Sequence, residues 1–262
     1  MIIVIDIGNS TVVVSGIRGE QVAFSGEVET NRSFDAAAYA SALEPILHGK
    51  QCSGCIISSV VPQITQAVSD AAGQLLGLTP VPVTPELKTG LTIPLPHPEQ
   101  IGRDRLVDAA YAAANFPLPA VTVDLGTATT LNVVLPGGVF AGGIICAGIQ
   151  TCLNALHQRA ALLPRLEVSM PEKLIGDNTA ACMQSGAVRG AAAMVDGLVS
   201  DIEAELGTSV TLLVTGGGGK YVTCFLHHPH TFDPDMTRKG LALLYKLNFA
   251  GADKNALAER KY

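Results

Sequence analysis

The sequence is short of charge. Only 15% of its 262 residues are Asp, Glu, Lys or Arg, against 48% hydrophobic, a balance that excludes a disordered or low-complexity chain. A basic excess is missing too: Lys+Arg 17 against Asp+Glu 23 leaves a net charge of -6, which argues against a dedicated nucleic-acid binder. Mean hydropathy is positive, yet it comes from Ala and Val spread over short segments. No run approaches the ~18 apolar residues that a spanning helix requires, so no membrane partner is expected. The opening Met1 to Ile5 is too short for a signal peptide and is stopped by Asp6, so we expect a cytoplasmic protein with a mature start. Six cysteines are too few for a disulfide scaffold.

What remains is a chain with enough apolar residues for one large domain, or for two of about 130 residues each. Its first stretch alternates apolar runs around a polar turn: Ile2 to Ile5, then Asp6-Ile7-Gly8-Asn9-Ser10, then Thr11 to Ile17. This predicts a hairpin. A third strand is expected at Val22 to Val28, a helix at Phe34 to Leu47, a buried strand at Cys55 to Val61 stopped by Pro62, and a helix at Gln63 to Leu76. A short strand is expected at Val81 to Thr84. The Pro-rich stretch from Leu91 to Pro98 predicts an irregular loop leading into a helix near Gly102.

The second half repeats the plan. Ala120 to Leu125, a turn from Gly126 to Thr130, Leu131 to Leu135 and Val139 to Ile145 predict strand, turn, strand and strand. Compare "VIDIGNSTVVV" with "TVDLGTATTLNVV", whose aspartates, Asp6 and Asp124, lie 118 positions apart. Such a repeat argues for two similar domains, 1–116 and 117–262, joined near Asn115 to Pro119. The remainder predicts helices at Gln150 to Leu162, Asn178 to Leu206 and Pro234 to Asn248, with one strand at Val210 to Thr215.

Four pieces carry chemistry. An Asp at the end of a buried strand, followed by Gly and hydroxyl residues, places a carboxylate beside a row of backbone N–H groups that can hold an anion. Either hairpin alone fits an ordinary turn; two copies at matching places favour a phosphate site. The third piece, Thr215-Gly216-Gly217-Gly218-Gly219, follows a strand and allows close backbone approach to a ligand. It is neither a Walker A loop nor G-x-G-x-x-G, because Tyr221 stands where each pattern needs another residue. The fourth, Gly102-Arg103-Asp104-Arg105, opens a helix with two cations beside one carboxylate. It fits either a solvated helix start or an anionic substrate.

In this order the four pieces resemble the type III pantothenate kinases of the actin and sugar-kinase superfamily. Further matches are Ser58-Ser59-Val60-Val61-Pro62, Gly142-Gly143-Ile144, Leu163-Pro164, Gly176-Asp177-Asn178-Thr179, Ser185-Gly186 and Lys239-Gly240-Leu241. The resemblance implies an α/β fold of two duplicated ribonuclease-H-like (actin-like ATPase) domains, each a mixed sheet flanked by helices, with the active site in an interdomain cleft. It implies ATP-dependent phosphorylation of pantothenate to 4′-phosphopantothenate, the first step toward coenzyme A.

On the same resemblance, Asp6, Ile7, Gly8, Asn9, Ser10, Thr11, Val12 and Val13 grip the ATP phosphates from one side and Gly126 and Thr127 from the other. Gly216 and Gly217 lie near the nucleoside. Asp6 holds Mg²⁺ through water, and Asp124 is the ligand of a monovalent cation, K⁺ or NH₄⁺. Asp104 is the general base, while Gly102, Arg103, Asp104 and Arg105 position the acceptor. Thr179 reaches pantothenate across a homodimer interface; the small residues of its helix serve such an interface or a buried helix equally. Two places depart from the family pattern: Leu95 stands where a pocket tyrosine is usual, and Ala147-Gly148 replaces Pro-Gly. Two alternatives follow, a kinase of the same fold with another small acceptor, or a non-catalytic ATP-binding regulatory protein. Cys52-x-x-Cys55 and the trio His227, His228 and His230 are expected to be structural or surface features, since neither completes a metal site. Lys254 to Tyr262 is expected to be a solvated tail.

Overall fold

The computed structural model describes residues 1–84 and 86–249; the tail expected from Lys254 to Tyr262 lies outside them. The element order is β1 (Ile2–Ile7), β2 (Thr11–Arg18), β3 (Gln21–Glu29), α1 (Ala36–Leu47), β4 (Gly54–Ser59), α2 (Pro62–Leu76), β5 (Val81–Pro82) and α3 (Arg103–Asn115). There follow β6 (Ala120–Leu125), β7 (Ala128–Leu135), β8 (Val139–Ala147), α4 (Ile149–Arg159), α5 (Thr179–Leu206), β9 (Thr211–Thr215), α6 (Gly219–Val222), β10 (His230–Phe232) and α7 (Met236–Phe249).

Two five-stranded mixed sheets result, ordered β3-β2-β1-β4-β5 and β10-β9-β6-β7-β8. Read from β8, the second has the topology of the first. The duplication extends to detail. β1 and β6 are each six residues long, with every side chain buried except the fifth, Asp6 or Asp124, which is partly exposed. Each pairs antiparallel with the next strand and parallel with a later one. The register of β2 on β3 shifts between Gly16 and Ile17, and that of β7 on β8 between Val133 and Val134, the same step along each strand.

In the first unit, β1 is covered on both faces, which is why it reads as an unbroken run of β-branched residues and not as an alternation. Its odd positions, Ile3, Ile5 and Ile7, pack with Tyr39, Leu43 and Leu47 of α1 and Ile64 and Val68 of α2. Ile2, Val4 and Asp6 point to the opposite face, where α7 lies against β1 and β4. Asp35 caps α1 by accepting from Ala38 N at 2.9 Å. Pro62 starts α2, and Gly77, at φ +65°, ends it in the left-handed conformation.

The second unit is built the same way. Val121, Val123 and Leu125 pack on Val188, Ala192, Val195 and Val199 of α5, and on the other face buried Asn132 donates to the Thr122 hydroxyl at 3.1 Å. Asn178 caps α5 by accepting from Ala181 N at 2.9 Å. No helix among the described residues is long and apolar enough to cross a membrane.

Several expected elements shift. The chain resumes as strand at Ala128, so the second hairpin loop is only Gly126-Thr127. The strand expected at Val81 to Thr84 keeps two residues. α6 and β10 fall where no element was expected: β10 is a three-residue edge strand pairing parallel with β9, too short to show a period. The contacts also divide the chain otherwise than by a single cut at 116/117. Among the described residues one unit comprises 1–84, 86–90, 97–111 and 235–249; the other comprises 91–96 and 112–234. The chain returns at its end because the apolar face of α7, with Leu241, Leu244, Tyr245 and Phe249 buried, covers the β1–β4 face.

That cover is tight at one point. A Cβ on Gly54 would run into the Tyr245 ring. Gly54→Ala should therefore destabilise the protein by ~1–3 kcal/mol through overpacking, read as a lower urea midpoint, and Tyr245→Leu in that background should recover part of the loss. An unchanged midpoint for Gly54→Ala would contradict this packing.

Candidate active site

The first hairpin loop is held from beneath. Gly8 N donates to Thr11 O at 2.9 Å, Thr30 Oγ1 donates to Gly8 O at 2.7 Å, and Thr30 N donates to Ser10 O at 3.0 Å. Arg32 Nη2 reaches Asn9 Oδ1 at 3.3 Å. Asn9 and Ser10 are exposed, whereas Ile7 and Val12 are fully buried in the core. Of the expected phosphate-binding residues, then, Ile7 and Val12 have only backbone to offer. Thr30 was missed because it belongs to no motif; its place at the end of β3, opposite the loop, is visible only once the strands are paired.

Asp6 sits at the end of β1 on the α7 face. Desolvation raises its pKa to about 6; the Asp104 carboxylate adds to the rise, while Ser58 and Arg238 oppose it. Asp104 thus lies within Coulombic range of Asp6, in the first turn of α3. Its side chain folds back so that Oδ1 accepts from Arg105 N at 2.9 Å. A Cβ on Gly102 would stand 2.5 Å from that oxygen, which is the steric reason for Gly two residues before the Asp. Arg105 is partly buried, and desolvation lowers its pKa while Asp104 raises it. Arg103 Nη1 is buried without a hydrogen-bond partner. Asp6, Gly102, Arg103, Asp104 and Arg105 therefore come together in one unit.

The second unit assembles the other pieces. Gly126 N donates to Ala128 O at 3.0 Å, and Gly148 N donates to Thr127 O at 3.1 Å; Thr151 Oγ1 donates to the same carbonyl at 2.7 Å. A Cβ on Gly148 would strike the carbonyls of Gly126 and Thr127, so this half of the Ala147-Gly148 pair has a definite steric role. Gly216, at φ +87°, lies against Asp124, where a Cβ would meet Oδ1 and the Leu125 backbone. Gly218 N donates to Leu125 O at 2.8 Å. Asp124, Gly126, Thr127 and the glycine segment thus form one surface with Gly126, Thr127 and Gly217 exposed. Thr179 is exposed at the start of α5.

The histidines have structural partners. Asp196 is engaged by His227 Nδ1 at 3.0 Å and His228 Nδ1 at 2.9 Å, and it accepts from both backbone N–H groups. Cys55 is buried in β4 and Cys52 is partly buried.

A family profile for type III pantothenate kinases matches residues 2–201. The type III pantothenate kinase of Moorella thermoacetica is 34% identical over 253 residues, covering 95% of this chain and 100% of its own. The chain belongs to the type III pantothenate kinase family. Among solved structures, a conserved Campylobacter jejuni protein assigned to the Baf family of transcriptional activators superposes with TM-score 0.57 at 16% identity, covering 93% and 97% of the two chains. MreB 5 of Spiroplasma citri, bound to AMPPNP, superposes with TM-score 0.52 at 11% identity, covering 99% and 98%. At these identities the likeness concerns the fold, two duplicated actin-like ATPase domains, and agrees with the repeated sheets.

For a pantothenate kinase of this family the question is how an acidic site meets a triphosphate. Among the described residues no three His, Cys, Asp or Glu side chains converge on a point. An ion here would be held by one or two carboxylates and by ligand oxygens. That suits Mg²⁺, a hard cation that keeps several waters and phosphate ligands. Asp6 with Asp104 nearby is such an oxygen-only set, and buried Ser58 Oγ, which makes no hydrogen bond of normal geometry, lies on the same face.

Asp6 also predicts a pH effect in the metal-free protein. Its folded pKa, about 6, exceeds the ordinary 3.8, so folding takes up a proton. Its contribution is most favourable below pH ~4 and is lost as pH rises through ~6, by on the order of 3 kcal/mol. Asp6→Asn should remove that slope, so that urea unfolding without Mg²⁺ shows the variant more stable than wild type at pH 7 and much closer to it at pH 4. Parallel stability curves would refute the buried-carboxylate reading.

Proposed function

We propose that this chain transfers the γ-phosphoryl group of ATP to the primary hydroxyl of pantothenate, giving 4′-phosphopantothenate and ADP. The observation that carries the reading is the meeting, within one unit, of the Asp6 hairpin with the Gly102 to Arg105 helix start, in a chain of this family. The Asp6 to Val13 hairpin and the Gly126-Thr127 loop bind the phosphates, largely through backbone N–H groups. Gly216 and Gly217 pack near the nucleoside.

Asp104 accepts the hydroxyl proton as the new O–P bond forms and the bond to the β-phosphate oxygen breaks. Arg103 Nη1, buried without a partner, and Arg105 are the donors proposed for the acceptor's carboxylate. Asp6, through water, would hold Mg²⁺ and Asp124 a K⁺ or NH₄⁺; these ions supply positive charge for the transferring group. Neither hairpin contains a lysine, so backbone and cations carry that charge.

We further propose a cytoplasmic homodimer. Its support is four exposed apolar side chains in the second unit, Leu156, Leu162, Leu174 and Ile175, the last 84% exposed, in the stretch of chain that leads to Thr179. Exposed apolar side chains of this size suit a partner chain. The six free cysteines suit a reducing compartment.

The purified protein should turn over ATP only when pantothenate is present, and faster in K⁺ than in Na⁺. Absence of pantothenate-dependent turnover in both salts would overturn the assignment. Asp104→Asn should bind nucleotide nearly as wild type while kcat falls by ~10²-fold or more; near-normal turnover would return Asp104 to a structural role. In light scattering the expected mass is twice that of one chain, and a monomer would remove Thr179 from the proposed site.

A further inference from the structure

The C-terminal helix brings a cation to a site whose motifs lie elsewhere in the chain. α7 runs antiparallel to β1 and β4. At its far end Lys246 Nζ donates to Gly19 O at 3.0 Å, beyond the edge of the sheet where Ile2 pairs with Ile17, and Tyr245 lies over Gly54. Arg238 precedes Tyr245 by seven residues, ~10 Å of helix. Ser58, the register partner of Asp6, lies four residues beyond Gly54, ~13 Å of strand. The first turn of α7 therefore lies at the level of Asp6 and Ser58, and Asp6 points to the α7 face.

Contacts with α3 fix the same turn sideways. Thr237 Oγ1 donates to buried Asp108 Oδ1 at 2.7 Å, one helical turn from Asp104. Gly240 allows α7 to approach Val107, which a Cβ would contact at 2.7 Å. Arg238 Nη1 pairs with Asp235, both side chains being 29% exposed. A guanidinium has five N–H donors, so this pair orients Arg238 and leaves donors over. Its charge is felt at Asp6, whose pKa it lowers.

We propose that Arg238 is a phosphoryl-binding residue: oriented by Asp235, it donates to the γ-phosphate oxygens of ATP beside Asp6 and Asp104 and stabilises their charge during transfer. The inference rests on the kinase reading above. It supplies the side-chain cation that both hairpin loops lack. Arg suits this place better than Lys because one arm can hold Asp235 while the others meet the phosphate.

The test separates the γ-phosphate from the rest of the nucleotide. Dissociation constants of AMPPNP and ADP, each with Mg²⁺, are measured by calorimetry on wild type, Arg238→Gln and Arg238→Lys, together with kcat for pantothenate phosphorylation and the melting temperature. For Arg238→Gln we expect AMPPNP to bind ~10-fold more weakly, ADP to change by less than about twofold and kcat to fall ~10- to 100-fold, as for loss of a charged hydrogen bond. Arg238→Lys should recover part of both losses at an unchanged melting temperature. Equal weakening of AMPPNP and ADP, or an unchanged AMPPNP constant, would overturn the proposal, as would a loss in the Lys variant as large as in the Gln variant. If wild type fails to phosphorylate pantothenate, the kinase assignment fails, while the AMPPNP-to-ADP ratio still tests Arg238 as a γ-phosphate ligand.

Discussion

A carboxylate at the end of a strand buried on both faces is the constraint on which the rest of this structure depends. β1 must be covered by helices on either side because both its faces are apolar, yet its fifth side chain is Asp6, whose charge the same burial disfavours. The strand cannot relieve this by exposing the residue further, since a change of register would move every isoleucine to the wrong face. Relief has to come from outside the strand, and Ser58 on β4 and Arg238 on α7 supply part of it.

The same strand pattern comes in two copies. β6 repeats the six-residue pattern of β1 down to the partly exposed aspartate, and the strand after it repeats the register shift. What differs is the fastening of each loop. The first copy uses the Thr30 side chain at the end of β3, and the second uses Gly148 and Thr151 at the start of α4. With one residue fewer in its loop, the second hairpin lies close enough to a helix start that only glycine fits at 148. Duplication has preserved the strand geometry and let the supports diverge.

This divergence sets what could be read from the chain alone. The hairpins and the Asp104 helix start were legible because each is local, with strand period and turn residues within a dozen positions, and the repeat was legible because each of its two copies is local. The supports were not legible. Thr30 and Arg238 act across strand pairing or helix packing, and Gly148 stood out only as half of the Ala147-Gly148 pair, without the carbonyls that explain it. The return of the last helix to the first unit was hidden for the same reason. An amphipathic helix shows that it has a buried face but not which sheet it covers. Ile7 and Val12, counted with the phosphate loop by motif, have their side chains in the core because the motif is continuous along the chain while the exposed loop is only its middle.

The scarcity of charge noted at the outset takes on a particular meaning here. A protein of net charge -6 that binds a triphosphate and a carboxylate cannot rely on its overall field for attraction. It must place its few cations where they count. Within the first unit three arginines, Arg103, Arg105 and Arg238, stand on the first turns of α3 and α7, and the two helices are tied together by Thr237 and Asp108, one turn further along α3. Arg238 is oriented by its ion pair with Asp235, and Arg103 keeps a buried nitrogen without a hydrogen-bond partner. A cation held by its own scaffold costs little reorganisation when the phosphate arrives. This is what stabilising charge that develops during transfer requires.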